Sequence, residues 1–81
     1  MQVTVRLFAR LRDIVGAPAL VRSVTPDATI GMVWADLVAD HPALADYEHA
    51  VSCARNAAFA RMTAPVADGD EVAFLPPVSG G

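Results

Sequence analysis

The sequence predicts an α+β domain: one mixed sheet with one main helix packed across it. Three observations carry that expectation. Residues 2–8 alternate apolar and polar side chains with the period of a strand. Residues 29–40 repeat apolar side chains with the period of a helix. The order along the chain reads strand, strand, helix, strand, strand, strand, and in 81 residues strands on both sides of one helix share one sheet.

Each element has its own signal. In the first strand Val3, Val5 and Leu7 form the face expected to be buried, and Thr4, Arg6 and Phe8 form the other. At residues 9–15 the period switches. Leu11, Ile14 and Val15 fall on one side, and Gly16 follows as a C-terminal stop, so this segment reads as a short helix. Residues 20–25 read as a second strand whose inward face the pattern leaves ambiguous, and Pro26-Asp27 turns the chain. Thr29 can cap the main helix, in which Ile30, Val33, Trp34, Leu37 and Val38 share a face. Gly31 weakens its first turn, and Pro42 stops it.

Residues 43–49 are polar and irregular, with room for one further helical turn. Residues 50–55 and 57–62 flank Asn56 as two tightly joined strands, and residues 63–67 are loop. Asp68-Gly69-Asp70 is a turn that launches the last strand, 71–75. Val72 and Phe74 face one way in it, Ala73 and Leu75 the other. The large residues expected to organise the core include Phe8, Leu11, Ile14, Ile30, Val33, Trp34, Leu37, Phe59 and Phe74. The β-grasp architecture satisfies this order, although the pattern alone does not force it.

Composition narrows the function. The length allows one domain, and the 54% hydrophobic content is that of a globular chain. The net charge is −3, and no basic stripe marks a nucleic-acid partner. All six cations are Arg, so the chain offers no lysine for an isopeptide bond, a Schiff base or a P-loop. Cys53 is the single cysteine, which excludes an internal disulfide and a multi-cysteine metal site; a small buried thiol is the expected reading. No signal peptide, apolar span or prenylation motif is evident, so a cytoplasmic protein with no membrane partner is expected.

The tail carries the most chemistry. The chain divides into a domain, 1–75, and a tail, 76–81. Pro76 and Pro77 offer no N–H for pairing, so the tail is expected to leave the sheet rather than continue it. Gly80-Gly81 has no side chains and can enter a channel too narrow for a Cβ. The carboxylate of Gly81 is then the polar group at the tip. It is a poor electrophile until adenylated; the mixed anhydride can accept sulfur and give a thiocarboxylate, itself a sulfur nucleophile. The bland alternative is a frayed end with no role. Phe8 and Leu75 lie on the faces expected to point outward, and with Phe59 they are candidates for a partner surface.

Other constellations are weaker. His41, Asp46 and His49 with Asp40 match no zinc spacing, and no metal site is expected. Ser79 lacks a nucleophile-elbow context. Arg10 and Arg12 fit an acidic partner or a solvated helix face equally well.

The segment from Asp68 through Glu71-Val72-Ala73-Phe74-Leu75 and Pro76-Pro77-Val78-Ser79 to Gly80-Gly81 resembles the C-terminal signature of the small, sulfur-carrier subunit of molybdopterin synthase, a MoaD/ThiS-like, ubiquitin-like family. The segment from Phe8 to Gly16 resembles that family's strand-to-helix start, and Asn56 matches an Asn at its strand turn. The resemblance implies a β-grasp sulfur carrier. A ubiquitin-activating-like adenylyltransferase would use ATP to adenylate Gly81, and a sulfur donor protein would convert it to the thiocarboxylate. The tail, including Gly80, would enter the large subunit of the synthase and give its sulfur to cyclic pyranopterin monophosphate. Phe8, Phe59, Leu75, Pro76, Pro77, Val78 and Ser79 would contact the partner. The resemblance implies no bound cofactor and a heterotetramer with a dimeric large subunit. Catalysis would lie in that subunit, so this chain is not an enzyme alone but a sulfur-donating subunit. Carriers for thiamine or cysteine synthesis, a protein modifier conjugated through Gly81, and a binding module with an idle tail are the competing readings.

Overall fold

Val3, Val5 and Leu7 are sealed from solvent in the computed structural model, which describes residues 1–77. They form the inner face of β1 (Gln2–Leu7), as the alternation requires. Next come α1 (Ala9–Val15), β2 (Ala19–Ser23), α2 (Ile30–Asp40) and a 3₁₀ helix at Pro42–Tyr47. β3 (Ser52–Arg55), β4 (Ala58–Ala60) and β5 (Glu71–Leu75) complete the chain. The sheet order is β2-β1-β5-β3-β4. β1 and β5 run parallel at its centre, and the other neighbours are antiparallel. A parallel pair needs a long crossover, and α2 supplies its helix. This is the mixed sheet and crossing helix expected from the sequence, in the β-grasp arrangement.

The core lies between the sheet and the helices. Leu11 of α1, Ile30, Val33, Trp34 and Leu37 of α2, and Leu44 of the 3₁₀ helix meet Val72 and Phe74 of β5. The Trp34 and Phe74 rings pack 5.0 Å apart at a 50° tilt. Gly16 closes α1 in the left-handed conformation (φ 86°), and its N–H donates to Arg12 O at 2.8 Å.

Several expectations need correction. Phe8 and Phe59 are not core residues: they are 38% and 84% exposed. Size suggested burial, but position decides it; Phe8 lies beyond β1 on the parity of Thr4 and Arg6, and Phe59 sits opposite Ala54 on the outer face of β4. Ile14 is only half-buried, whereas Leu44 and Val66 join the core. β3 starts two residues later than expected because Ala50 and Val51 N–H donate to Tyr47 O in a turn, and β4 starts one later because Asn56 and Ala57, at φ 50° and 70°, make the reversal. Beyond β4 the chain turns to meet α2, where Gly31 N–H donates to Met62 O at 2.8 Å. β2 begins one residue before the expected 20–25 and ends two earlier. Its inward residues are Leu20, opposite Val5, and Arg22, opposite Val3. Arg22 avoids the core by reaching Asp36 at 3.3 Å and Asp40 at 2.5 Å on α2. Among the described residues no helix is long and apolar enough to cross a membrane.

Candidate functional site

Among the described residues no element covers the sheet face opposite the helices, and strand register decides what it displays. One row across it reads Ala19, Arg6, Ala73, Ala54 and Phe59. Thr4 stands between Val21 and Glu71 in the row on one side, and Leu75 stands beside Ser52 on the other. Phe8 follows β1 in an extended conformation (φ −122°, ψ 151°), and its ring lies 5.6 Å from the Arg6 guanidinium carbon. Ala73 and Ala54 keep the centre flat, while Phe8 and Phe59 rise from it. Three of the exposed large apolar residues, Phe8, Val21 and Phe59, therefore belong to one face.

The tail starts from this face. β5 is the central strand, bordered by β1 and β3. Leu75 is its last residue and half-buried, and Pro76 and Pro77 follow it. Leu7 pairs with Phe74, so β5 ends beside the residue that precedes Phe8. The structure thus brings Phe8, Phe59, Leu75, Pro76 and Pro77 to one face and its exit point. Val78, Ser79, Gly80 and Gly81 lie outside the described residues. Val21, 60% exposed, was missed in the sequence; its signal was the alternation with Leu20, readable once Leu20 is known to face inward.

A polar knot fixes the start of β5. The Asn56 side chain donates to Asp70 Oδ1 at 3.0 Å and accepts from Glu71 N–H at 2.9 Å. Ala67 N–H donates to Asp70 Oδ2 at 2.8 Å. These hydrogen bonds, Asn56 first and Ala67 second, hold the Asp70 carboxyl below the ordinary carboxylate pKa. Arg55, Asn56, Pro65, Val66, Ala67 and Asp70 also line an open concavity of about 380 Å³. Its charged groups are engaged within it: Arg55 donates to Pro65 O at 2.6 Å, and Asp70 is held as described. It reads as structural.

Cys53 is buried on the core side of β3, with Sγ 3.1 Å from Ala60 O, and burial pushes its thiol pKa up. A thiol held protonated is a poor nucleophile. His41, Asp46 and His49 do not converge with Asp40; among the described residues no three His, Cys, Asp or Glu side chains are placed to hold a metal. Arg10 and Arg12 are exposed on α1.

Fold and face together define a ubiquitin-like β-grasp domain with an open apolar sheet face from whose centre the C-terminal segment departs. The model of the ThiS family matches residues 5–81, and the chain belongs to that family. It is 38% identical to small archaeal modifier protein 1 of Haloferax volcanii, over 94% of this chain and 97% of that protein. It is 33% identical to the molybdopterin synthase sulfur carrier subunit of Arabidopsis thaliana, over all of this chain and 84% of that one. The crystal structure of SAMP1 from Haloferax volcanii superposes with a TM-score of 0.88 at 34% identity, over 100% of both chains.

Proposed function

We propose that this chain is a cytoplasmic sulfur carrier of molybdenum cofactor synthesis whose working group is the carboxylate of Gly81. One observation carries the reading: the central strand delivers Pro76-Pro77, the start of the segment that ends in Gly80-Gly81, beside an apolar face built from Phe8, Leu75, Ala73, Ala54 and Phe59. A partner seated on that face receives the tail at a fixed point. Similarity to a molybdopterin synthase sulfur carrier subunit supports the choice of pathway.

In an adenylyltransferase the Gly81 carboxylate attacks the α-phosphate of ATP and pyrophosphate leaves. The outer sulfur of a persulfide on the donor protein then attacks the acyl carbon and AMP leaves; a second thiol attacks the donor cysteine's sulfur in the resulting acyl disulfide, forming a disulfide with it and releasing the thiocarboxylate. Phe8, Phe59, Leu75, Pro76 and Pro77 seat the carrier, while Val78, Ser79, Gly80 and Gly81 occupy the partner's channel. In the large subunit the thiocarboxylate sulfur attacks a carbon of cyclic pyranopterin monophosphate and displaces an oxygen leaving group; water then cleaves the thioester, which leaves the sulfur on the pterin and returns Gly81 to a carboxylate. This chain binds no cofactor, and ATP belongs to the activating partner. With a dimeric large subunit the assembly is a heterotetramer.

The test is to incubate the chain with ATP, an activating enzyme and a sulfur donor and to fragment the C-terminal peptide by mass spectrometry. Sulfur in place of oxygen at Gly81 is the expected result. An unmodified carboxylate with several activating enzymes would overturn the reading. Similarity to small archaeal modifier protein 1 favours a second reading, a protein modifier. The same acyl adenylate would then be attacked by a target lysine, and conjugates of higher mass in cell lysates would identify it. Such conjugates could not branch through this chain's side chains, which include no lysine.

A further inference from the structure

We propose that Arg6 selects the partners of the open face by requiring an acidic side chain on an otherwise apolar partner surface. The inference rests on the reading that this face docks. Around the tail exit the strand positions of the open face carry Ala19, Ala73, Ala54, Phe59, Leu75 and Ser52, and Arg6 is the one charge among them. Its side chain is 49% exposed. It lies at the centre of the face, between Ala19 and Ala73, with the Phe8 ring 5.6 Å away. A partner that covers Phe8 and Ala73 therefore covers the guanidinium too.

A guanidinium has five N–H donors, and burying them without acceptors is costly. Among the described residues no side chain or carbonyl stands within hydrogen-bond distance of them. Arg6 Nη1 stands 3.9 Å from Glu71 Oε1, beyond hydrogen-bond reach, and Glu71 is itself 44% exposed. The Phe8 ring attracts the cation but accepts none of its in-plane donors. Glu71 lies in the row beside Thr4, on the side away from Leu75 and the tail. Among the described residues the donors of Arg6 are thus left for the partner. A carboxylate accepts two of them in parallel, a geometry that a lysine at this position could not offer. A partner without an acid there would pay the desolvation of an unpaired charge and be rejected.

The experiment measures binding of the full chain to the molybdopterin synthase large subunit of the same organism, by calorimetry across a salt series. Melting curves confirm that each variant is folded. Arg6→Glu is expected to weaken binding tenfold or more. Arg6→Leu is expected to weaken it less and to flatten its salt dependence. Glu71→Gln is expected to leave it unchanged or tighter, because Glu71 competes with the partner for Arg6. If Phe59→Asp weakens binding but Arg6→Leu binds as the parent does, the docking reading stands and this inference falls. Loss on Glu71→Gln equal to that of Arg6→Leu would show that the internal pair closes instead, and overturns it. If Phe59→Asp has no effect, or the parent does not bind, the docking reading itself falls.

Discussion

Asp70 shows how one side chain ties the tail-bearing strand to the rest of the sheet. Its carboxylate accepts from the Asn56 side chain and from Ala67 N–H, and Asn56 in turn accepts from Glu71 N–H at the head of β5. Both bonds to Asp70 favour its charged form, so the folded pKa lies below the ordinary value of 3.8. The unfolded chain takes up the proton more readily, so the stabilisation is complete above the ordinary value and is lost as pH falls through the folded one. Asp70→Asn should therefore be less stable than the parent near neutrality, and the gap should narrow as pH drops below about 4. Urea midpoints between pH 2 and 7 measure this. Two curves that stay parallel through the acid range would show that Asp70 contributes nothing through its charge.

At the scale of elements, the joint between α2 and the loop after β4 is the most constrained contact. The first N–H groups of a helix lack partners within it. Here Ile30 N–H donates to Ala64 O at 3.0 Å, Gly31 N–H to Met62 O at 2.8 Å and Met32 N–H to Thr29 Oγ1 at 3.3 Å. A Cβ on Gly31 would stand 3.1 Å from Met62 O, the same carbonyl that caps the helix. Alanine ordinarily improves a helix interior by about 1 kcal/mol over glycine. In this first turn it would push the capping carbonyl away, so Gly31→Ala is expected to cost about 1 kcal/mol net, roughly 4–8 °C in melting temperature. A rise in melting temperature would mean that the loop yields freely. This joint also marks the limit of what the sequence discloses. The helix, the inner face of β1 and the alternation of β5 were legible because each has a period within one segment. Leu75 and Phe8 were legible as outward for the same reason. The row that joins Arg6 to Ala73, Ala54 and Phe59 was not, because register between distant strands leaves no local trace. Val21 was hidden because β2 is a short edge strand whose inward side holds Arg22 as well as Leu20, so hydrophobicity does not mark the face. Size put Phe8 and Phe59 among the expected core residues; for Phe8 the alternation of β1 already pointed outward, and for Phe59 only its register opposite Ala54 shows that it stands on the uncovered side.

The whole molecule is a sheet whose two faces have separate duties, and a pair of phenylalanines tests that division. Phe74 is fully buried against Trp34, and Phe59 is 84% exposed on the opposite face. A chain of 81 residues has a total stability of roughly 4–12 kcal/mol at about 0.05–0.15 kcal/mol per residue. Truncating a buried phenylalanine to alanine costs about 3–5 kcal/mol, a large part of that total. Phe74→Ala should therefore lose cooperative unfolding or melt far below the parent. Trp34, the single tryptophan and buried against Phe74, reports the change by fluorescence. Phe59→Asp removes an exposed side chain and should shift stability by no more than about 0.5 kcal/mol. It places a carboxylate in the apolar row, so a partner seated there must bury an unpaired charge. The expected pattern is a parent-like melt with lost docking for Phe59→Asp and a collapsed melt for Phe74→Ala. A Phe59→Asp chain that unfolds as readily as Phe74→Ala would show that the open face helps to hold the fold, and the separation of duties would not stand.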